Sequence, residues 1–308
     1  MTGQASAGLP SGYPSASVAR RALLALALVA CVTSSDATMM AVLIEPMKRQ
    51  MGLSDVQIGL VQGTAFGLAY GIAALPMGRF IDVGRRTRML VVGILAWGFA
   101  LAANGLAPNL GVLLVSRAVL GVVSALLIPA AVSLLGDLYP PERRSIATSI
   151  FVVGQSCGGG LGILCSGMAF NVLQTMSVRH GWNAELLAPW RVLFYLAAFS
   201  AFLLTPLLLL MREPARQERS IERPSLLETL SRLLESREFL IPLLIGLLLG
   251  NVSFQASNTW SAPLLMRRFH LTPGDFSGWL SVVTVATGIA GALAGGLAAE
   301  RARRWAGR

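Results

Sequence analysis

Eight continuously apolar stretches, most of them about 20 residues or longer, constrain this chain more than any other feature. A helix needs roughly 20 such residues to cross about 30 Å of hydrocarbon. Within lipid, each backbone polar group must be satisfied inside its own helix or inside a closed barrel. The stretches do not alternate apolar with polar residues, so helices are expected and a barrel is not. The fold class that follows is an all-α integral membrane protein with the lipid bilayer as its solvent. Charged residues make up 13% of the chain, about half the share in a soluble domain.

The expected spans are roughly 22–44, 56–78, 88–107, 110–138, 145–170, 191–211, 239–263 and 277–299. The second is expected to end at the Pro76-Met77-Gly78 break, and Asn104-Gly105 through Pro108-Asn109 to form a tight turn. Tyr139-Pro140-Pro141-Glu142 ends the fourth, because proline cannot continue the helical ladder. Residues 1–19, rich in Gly, Ser, Ala and Pro, are expected to be a disordered leader. Arg20, Arg21 and the apolar run up to Cys31 look like a signal peptide. With seven further spans behind it, this run is read as an uncleaved first helix. Residues 20–211 form a six-helix unit and 239–308 a unit of two helices. Between them, residues 212–238 make a linker in which Ser225 to Glu238 could form an amphipathic helix with Leu226, Leu230 and Leu233 on one face.

Loop arginines set the expected orientation. With the N-terminus in the cytoplasm, 18 of the 25 Lys and Arg residues fall inside and 6 outside. The inner set includes Arg85, Arg86, Arg143, Arg144 and Arg212; the outer set is Lys48, Arg49, Arg179, Arg191, Arg267 and Arg268. The net charge of +10 is thus explained by topology, and no basic surface domain is left to bind nucleic acid. Cys31, Cys157 and Cys165 all lie in apolar spans and fit neither a disulfide framework nor a zinc site. They are read as small buried residues.

The chain contains an internal repeat. Gly78, Asp82, Gly84, Arg85 and Arg86 follow the second span; Gly296, Glu300, Arg301 and Arg304 follow the eighth. Each copy places a glycine, an acid four residues on and an arginine cluster at the inner end of the second helix of its half. Parallel repeats of a six-helix unit are one plan on which transporters are built.

At these residues the sequence resembles the major facilitator superfamily, whose loop after the second helix carries Gly-x-x-x-Asp-Arg-x-Gly-Arg-Arg. Val83 replaces the arginine after the aspartate, and the segment is one residue short. The stretches from Val42 to Gln62 and from Asp137 to Arg144 resemble spinster-like members. The resemblance implies twelve helices in two bundles, of which this chain would hold a six-helix N-terminal bundle and the first two helices of a second. It also implies alternating-access transport of a small or amphiphilic organic substrate, with protons as the coupling ion proposed in that subgroup. A bacterial inner membrane is the expected location. In the gate motif, Asp82 would bond a neighbouring helix N-terminus and pair with arginine, holding one conformation closed; simple positive-inside anchoring is the plainer reading. A truncated chain that moves nothing and acts at most as a scaffold is the alternative function.

Two charges lie well inside apolar spans, Asp36 in the first and Arg117 in the fourth. At 1.5 Å per residue they sit roughly 12 and 10.5 Å from the outer ends of their spans. A charge in hydrocarbon is costly unless it faces a cavity or a partner. The pair is therefore the candidate for coupling: Asp36 would take the proton, and Arg117 would tune it or attract an anionic head group. A purely structural ion pair is the other reading. Ala37 and Ser124 stand where spinster-like proteins carry an arginine and a glutamate, and that glutamate is a proton-carrier candidate in the subgroup. Gln62, Phe66 and Tyr70 share one helical face, and so do Asn251, Gln255 and Asn258. Gln62, Tyr70, Ser124, Asn251, Gln255 and Asn258 are candidates to line a cavity. Amides there could bind substrate or join helices. The glycines of the fifth span, Gly154 to Gly167, point to close helix packing. No phosphate loop or metal-ligand spacing occurs, and His180 and His270 fall in outer loops, so neither a cofactor nor an enzyme activity is expected.

Overall fold

The computed structural model describes residues 13–182, 185–217 and 235–306. Eight long helices account for most of them. They are α1 (Ala16–Met51), α2 (Asp55–Val83), α3 (Arg86–Leu106), α4 (Leu110–Leu138), α5 (Pro141–His180), α6 (Pro189–Leu209), α7 (Arg237–Arg268) and α8 (Pro273–Ala306). Among the described residues, the first seven each contain a stretch long and apolar enough to cross a membrane.

Local sequence explains the helix ends. Gly52 and Gly181 sit in the left-handed region at φ 66° and 59°, and close α1 and α5; glycine adopts this conformation without a Cβ penalty. Ser54 opens α2 with a capping box, accepting from the Gln57 N–H while Gln57 Oε1 accepts from the Ser54 N–H. Asn109 accepts from the Val112 N–H at 3.1 Å and starts α4. Pro141, Pro189 and Pro273 open α5, α6 and α8, where a missing N–H costs nothing.

Several boundaries differ from the expected ones. α1 begins at Ala16, inside the supposed leader, because Ala19 and Ala22 are already buried. α2 continues through Pro76 to Val83. A proline in a membrane helix is tolerated where neighbouring helices or local adjustments re-satisfy the freed carbonyl. Its stretch Leu60–Ala65 is π-helical, a feature no residue there announces. α8 stays helical through the second copy of the repeat, so Gly296 to Arg304 lie in a helix rather than in a loop. Arg301 is exposed; the side chains of Gly296, Glu300 and Arg304 fall outside the described residues, as does most of the amphipathic segment at 225–238. Cys31 and Cys157 are half-buried and Cys165 is exposed, all as free thiols.

The apolar core lies among α1, α3, α4 and α6, with Met40, Leu43, Ile44, Ile94, Leu120 and Phe194 fully buried. α5 works as a two-faced spacer. Its Gly154, Gly158 and Gly162 lie on the backbone of α1 at Ala27, Cys31 and Ser35, while Gly160 and Gly167 lie on α8 at Ser281, Val285, Ser277 and Pro273. Spacings of four and seven residues put each set on its own helix face. Small residues let helix backbones approach closely, which in lipid supplies packing that the hydrophobic effect does not. α8 is thereby fixed against the first unit through α5, and α7 rests on α1. α7 carries an apolar face that no described residue covers, with Phe239, Leu244, Leu248 and Phe254 all more than half exposed.

Candidate functional site

Asp36 and Arg117 are 3% and 2% exposed. Arg117 Nη1 donates to Asp36 Oδ2 at 2.8 Å, and Nη2 donates to Oδ1 at 3.4 Å. Around Asp36, the hydroxyls of Thr33, Ser35 and Thr38 bond back to carbonyls of their own helix at 2.9, 2.7 and 3.1 Å. These neighbours therefore do not compete for the guanidinium. The ring of Phe194 lies 5.7 Å from the Arg117 guanidinium carbon and caps it from α6, within cation–π range. Arg117 Nε has no partner among the described residues.

This pair lies on the wall of a cavity of about 310 Å³. Gln62 and Tyr70 of α2, Ser124 of α4 and Gln255 of α7 share that wall, so both units contribute to it. The π-helical turn presents Gln62, whose Nε2 donates to Ala37 O at 3.3 Å. Single π turns recur at functional sites. Phe66 and Tyr70 stack with their centroids 6.3 Å apart. Gly121 of α4 lies against the Phe66 carbonyl and the Tyr70 N–H, so a side chain there would push α2 away. Ser124 donates to Leu120 O at 2.7 Å, within its own helix. Asn251 and Asn258 do not line the cavity: Asn251 is exposed, and Asn258 donates to Phe254 O at 2.9 Å. No sequence pattern marks Trp97, which lines the cavity and has a buried indole N–H without a partner among the described residues. A tryptophan in an apolar span is ordinary, so only geometry reveals it.

The face of the bundle that carries the N-terminus, the N-face below, holds the gate motif. Asp82 is exposed and pairs with no described residue; Gly78 and Gly84 flank it, and Arg85 is exposed. Arg86 is the member that is buried, at 2%. Its Nη1 meets Asp137 of α4 and the Ser133 hydroxyl, and its Nε donates to Glu213 Oε1 at 3.0 Å. Glu213, just past α6, also accepts from the Thr87 N–H and hydroxyl at 2.8 and 2.7 Å. Burial alone would raise its carboxyl, but the bonds from Thr87 and Arg86 outweigh burial and hold it below the usual range. Arg216 donates to Ile81 O and Gly84 O at 2.8 and 2.9 Å, satisfying the end of α2. Residues 213–217 thus strap α2, α3 and α4 together. Glu213 did not stand out in the sequence, because it sits at a span end where acids are common, and Asp137 entered only as the start of the stretch that resembles spinster-like members.

On the opposite face, the far face below, Arg267 of α7 donates to Glu45 of α1 at 2.6 Å and to both oxygens of Asp55 at 3.0 and 2.7 Å. Lys48 also reaches Asp55 at 2.7 Å, and Trp260 lies 5.6 Å from the Arg267 guanidinium carbon. The second unit is thereby tied to the first.

The chain has relatives across this architecture. It is 35% identical over 134 residues to the puromycin resistance protein of Streptomyces alboniger, covering 43% of this chain and 26% of that protein. It is 26% identical over 288 residues to an MFS-type efflux pump of Mycolicibacterium smegmatis, covering 91% of this chain and 63% of the relative. Among solved structures, a bacterial homolog of the human lysosomal transporter spinster, inward-facing and unoccupied, superposes with a TM-score of 0.77 at 27% identity. That match covers 94% of this chain and 64% of that one. The chain thus spans less than two thirds of the relatives it matches. The family model of the Major Facilitator Superfamily matches residues 24–308, and the chain belongs to that superfamily of membrane transporters.

Proposed function

We propose that this chain lines the solute pathway of a spinster-like secondary transporter that moves a small or amphiphilic organic solute by alternating access. The N-face is cytoplasmic in this reading, as the loop arginines require. The far face is held shut by Arg267, and the conformation is the inward-facing one named for the spinster homolog. The observation that carries the proposal is the buried Asp36–Arg117 fork on the wall of a cavity to which both units contribute. Asp36 is the proton acceptor; its protonation releases Arg117, which is then free to meet an anionic head group or to let α1 and α4 shift.

The test is flux through the full chain in proteoliposomes, with and without a proton gradient. Puromycin, from the name of one relative, and a fluorescent lysolipid, as a generic amphiphile, serve as the two probes. Flux above empty vesicles for either probe, driven by the gradient and cut at least ten-fold by Asp36→Asn, is the expected result. Gradient-independent flux that Asp36→Asn leaves unchanged defeats the proton role. No flux of either probe from a folded, correctly inserted wild-type chain would overturn the reading.

A further inference from the structure

Two polar atoms of the central cavity's wall are left without a partner. Trp97 of α3 and Arg117 of α4 both line the cavity and are both buried. The Trp97 indole N–H and the Arg117 Nε–H are each sealed from solvent, and neither finds an acceptor among the described residues. Both atoms are donors. A buried donor without an acceptor is destabilising, and a phenylalanine at position 97 would supply an aromatic ring with no N–H to satisfy.

The polar groups beside them are engaged. Arg117 holds both oxygens of Asp36. The hydroxyls of Thr33 and Ser124 donate to carbonyls of their own helices at 2.9 and 2.7 Å, and Gln62 donates to Ala37 O at 3.3 Å. Charge is balanced as well, because the acid and the base that line this wall, Asp36 and Arg117, are paired with each other. An ionised head group would leave water here and meet no free countercharge, which is unfavourable. Phe66, Leu127 and Ile128 supply apolar lining. The volume of about 310 Å³ suits a small molecule, since such sites run from roughly 300 to 1,000 Å³.

We propose that this cavity, read as the solute pathway, takes an uncharged solute that carries an oxygen acceptor on an apolar body, such as a ketone, ester or amide, and that the Trp97 N–H donates to that oxygen. The hydrocarbon lies on Phe66, Leu127 and Ile128. Such a solute leaves the Asp36–Arg117 pair intact when it binds. Of the two roles open to a released Arg117, it calls for the shift of α1 and α4.

The test measures binding to the full chain in phosphatidylcholine nanodiscs, as a saturable rise in Tm. The probes are methyl undecyl ketone, its analogue with a methylidene group in place of the oxygen, and dodecyl phosphate. The ketone and its analogue share shape and charge and differ only in the acceptor. The ketone should half-saturate at a concentration about five-fold or more below that of the analogue, the share of one hydrogen bond to a buried donor, and below that of dodecyl phosphate. Trp97→Phe should remove the preference for the ketone over its analogue. A second variant, with benzothienylalanine at position 97, keeps the bicyclic ring and replaces the N–H by sulfur; it should do the same, and it decides if Trp97→Phe folds poorly. The proposal is overturned by equal binding of ketone and analogue to the wild type, by a preference that survives in the folded variants, or by tighter binding of dodecyl phosphate than of the ketone. Binding needs no transport, so an acceptor preference that depends on Trp97 without flux in proteoliposomes supports the site and defeats only the pathway reading.

Discussion

Arg117 of α4 forks the carboxylate of Asp36 of α1 at 2.8 and 3.4 Å, with both side chains sealed from solvent beside the central cavity. Removing one member of a buried pair leaves the other charge unmatched and costs about 3–5 kcal/mol. Asp36→Asn and Arg117→Gln should therefore each lower the unfolding temperature of the purified chain by many degrees. The double substitution leaves no buried charge and should fall well short of the sum of the two losses. A double-mutant cycle read by thermal unfolding checks this; additive losses would show that the two side chains do not act as a pair.

Three consecutive glycines of α5 face three different surroundings. Gly158 lies on the Cys31 carbonyl of α1, and Gly160 on Val285 of α8 with the Ser281 carbonyl at 3.2 Å from a Cβ built there. Around Gly159, the nearest atoms to such a Cβ are methyls of Thr284 and Thr38 at 3.9 Å. Alanine at 159 should thus be neutral. Alanine at 158 or 160 overpacks a contact and should cost about 1–3 kcal/mol, more at 158, where rigid backbone stands in the way. The yield and melting temperature of folded protein measure this order. Gly159→Ala as harmful as Gly158→Ala would contradict the two-faced packing of α5.

What the sequence makes legible follows from the cost of polarity in lipid. Asp36 and Arg117 stand out because a charge inside an apolar span demands a reason, and their matching depths foretell a meeting. Gln62, Tyr70 and Gln255 follow from helical spacing, and all three reach the cavity, whereas Asn251 and Asn258 share the spacing of Gln255 and do not. A face is wider than a cavity, so periodicity alone cannot choose among its members. α2 passes Pro76 because its neighbours and the local backbone, rather than its own residues, decide whether the helix survives. The Glu213 strap is invisible for a different reason: its bonds to Arg86 and Thr87 span more than 120 residues of chain, and nothing local marks them.

That strap makes stability depend on acid. The Glu213 carboxyl is held below its ordinary value, while in the unfolded chain it titrates near the usual value of about 4.3. A depressed native value means that the contribution is complete above that unfolded value and is lost as pH falls through the native one. Melting temperature should accordingly hold steady at neutral pH and fall below about pH 4. Glu213→Gln should lower the plateau and flatten the acid limb relative to wild type. An acid limb of unchanged steepness in Glu213→Gln would assign the acid loss to other carboxylates.

Arg267 offers the sharpest test of how the two units are joined. It forks Asp55, reaches Glu45 and lies near the Trp260 ring, yet its side chain is 38% exposed. Exposed pairs are each worth only about 0–1 kcal/mol, so Arg267→Ala should leave global stability nearly unchanged. Under the alternating-access reading proposed above, the same small sum acts on an equilibrium between closed and open far faces, where about 1.4 kcal/mol is a factor of ten in population. Ser34 lines the central cavity and reports that opening. With the three native cysteines replaced by serine, a cysteine at position 34 should react with a membrane-impermeant maleimide from the far face several-fold faster in Arg267→Ala. Arg267→Lys keeps the charge but loses the fork, and should lie between the two. Equal labelling rates in all three would mean that the far face is closed by helix packing on the α5 glycines, with the ion pairs contributing nothing to the closure.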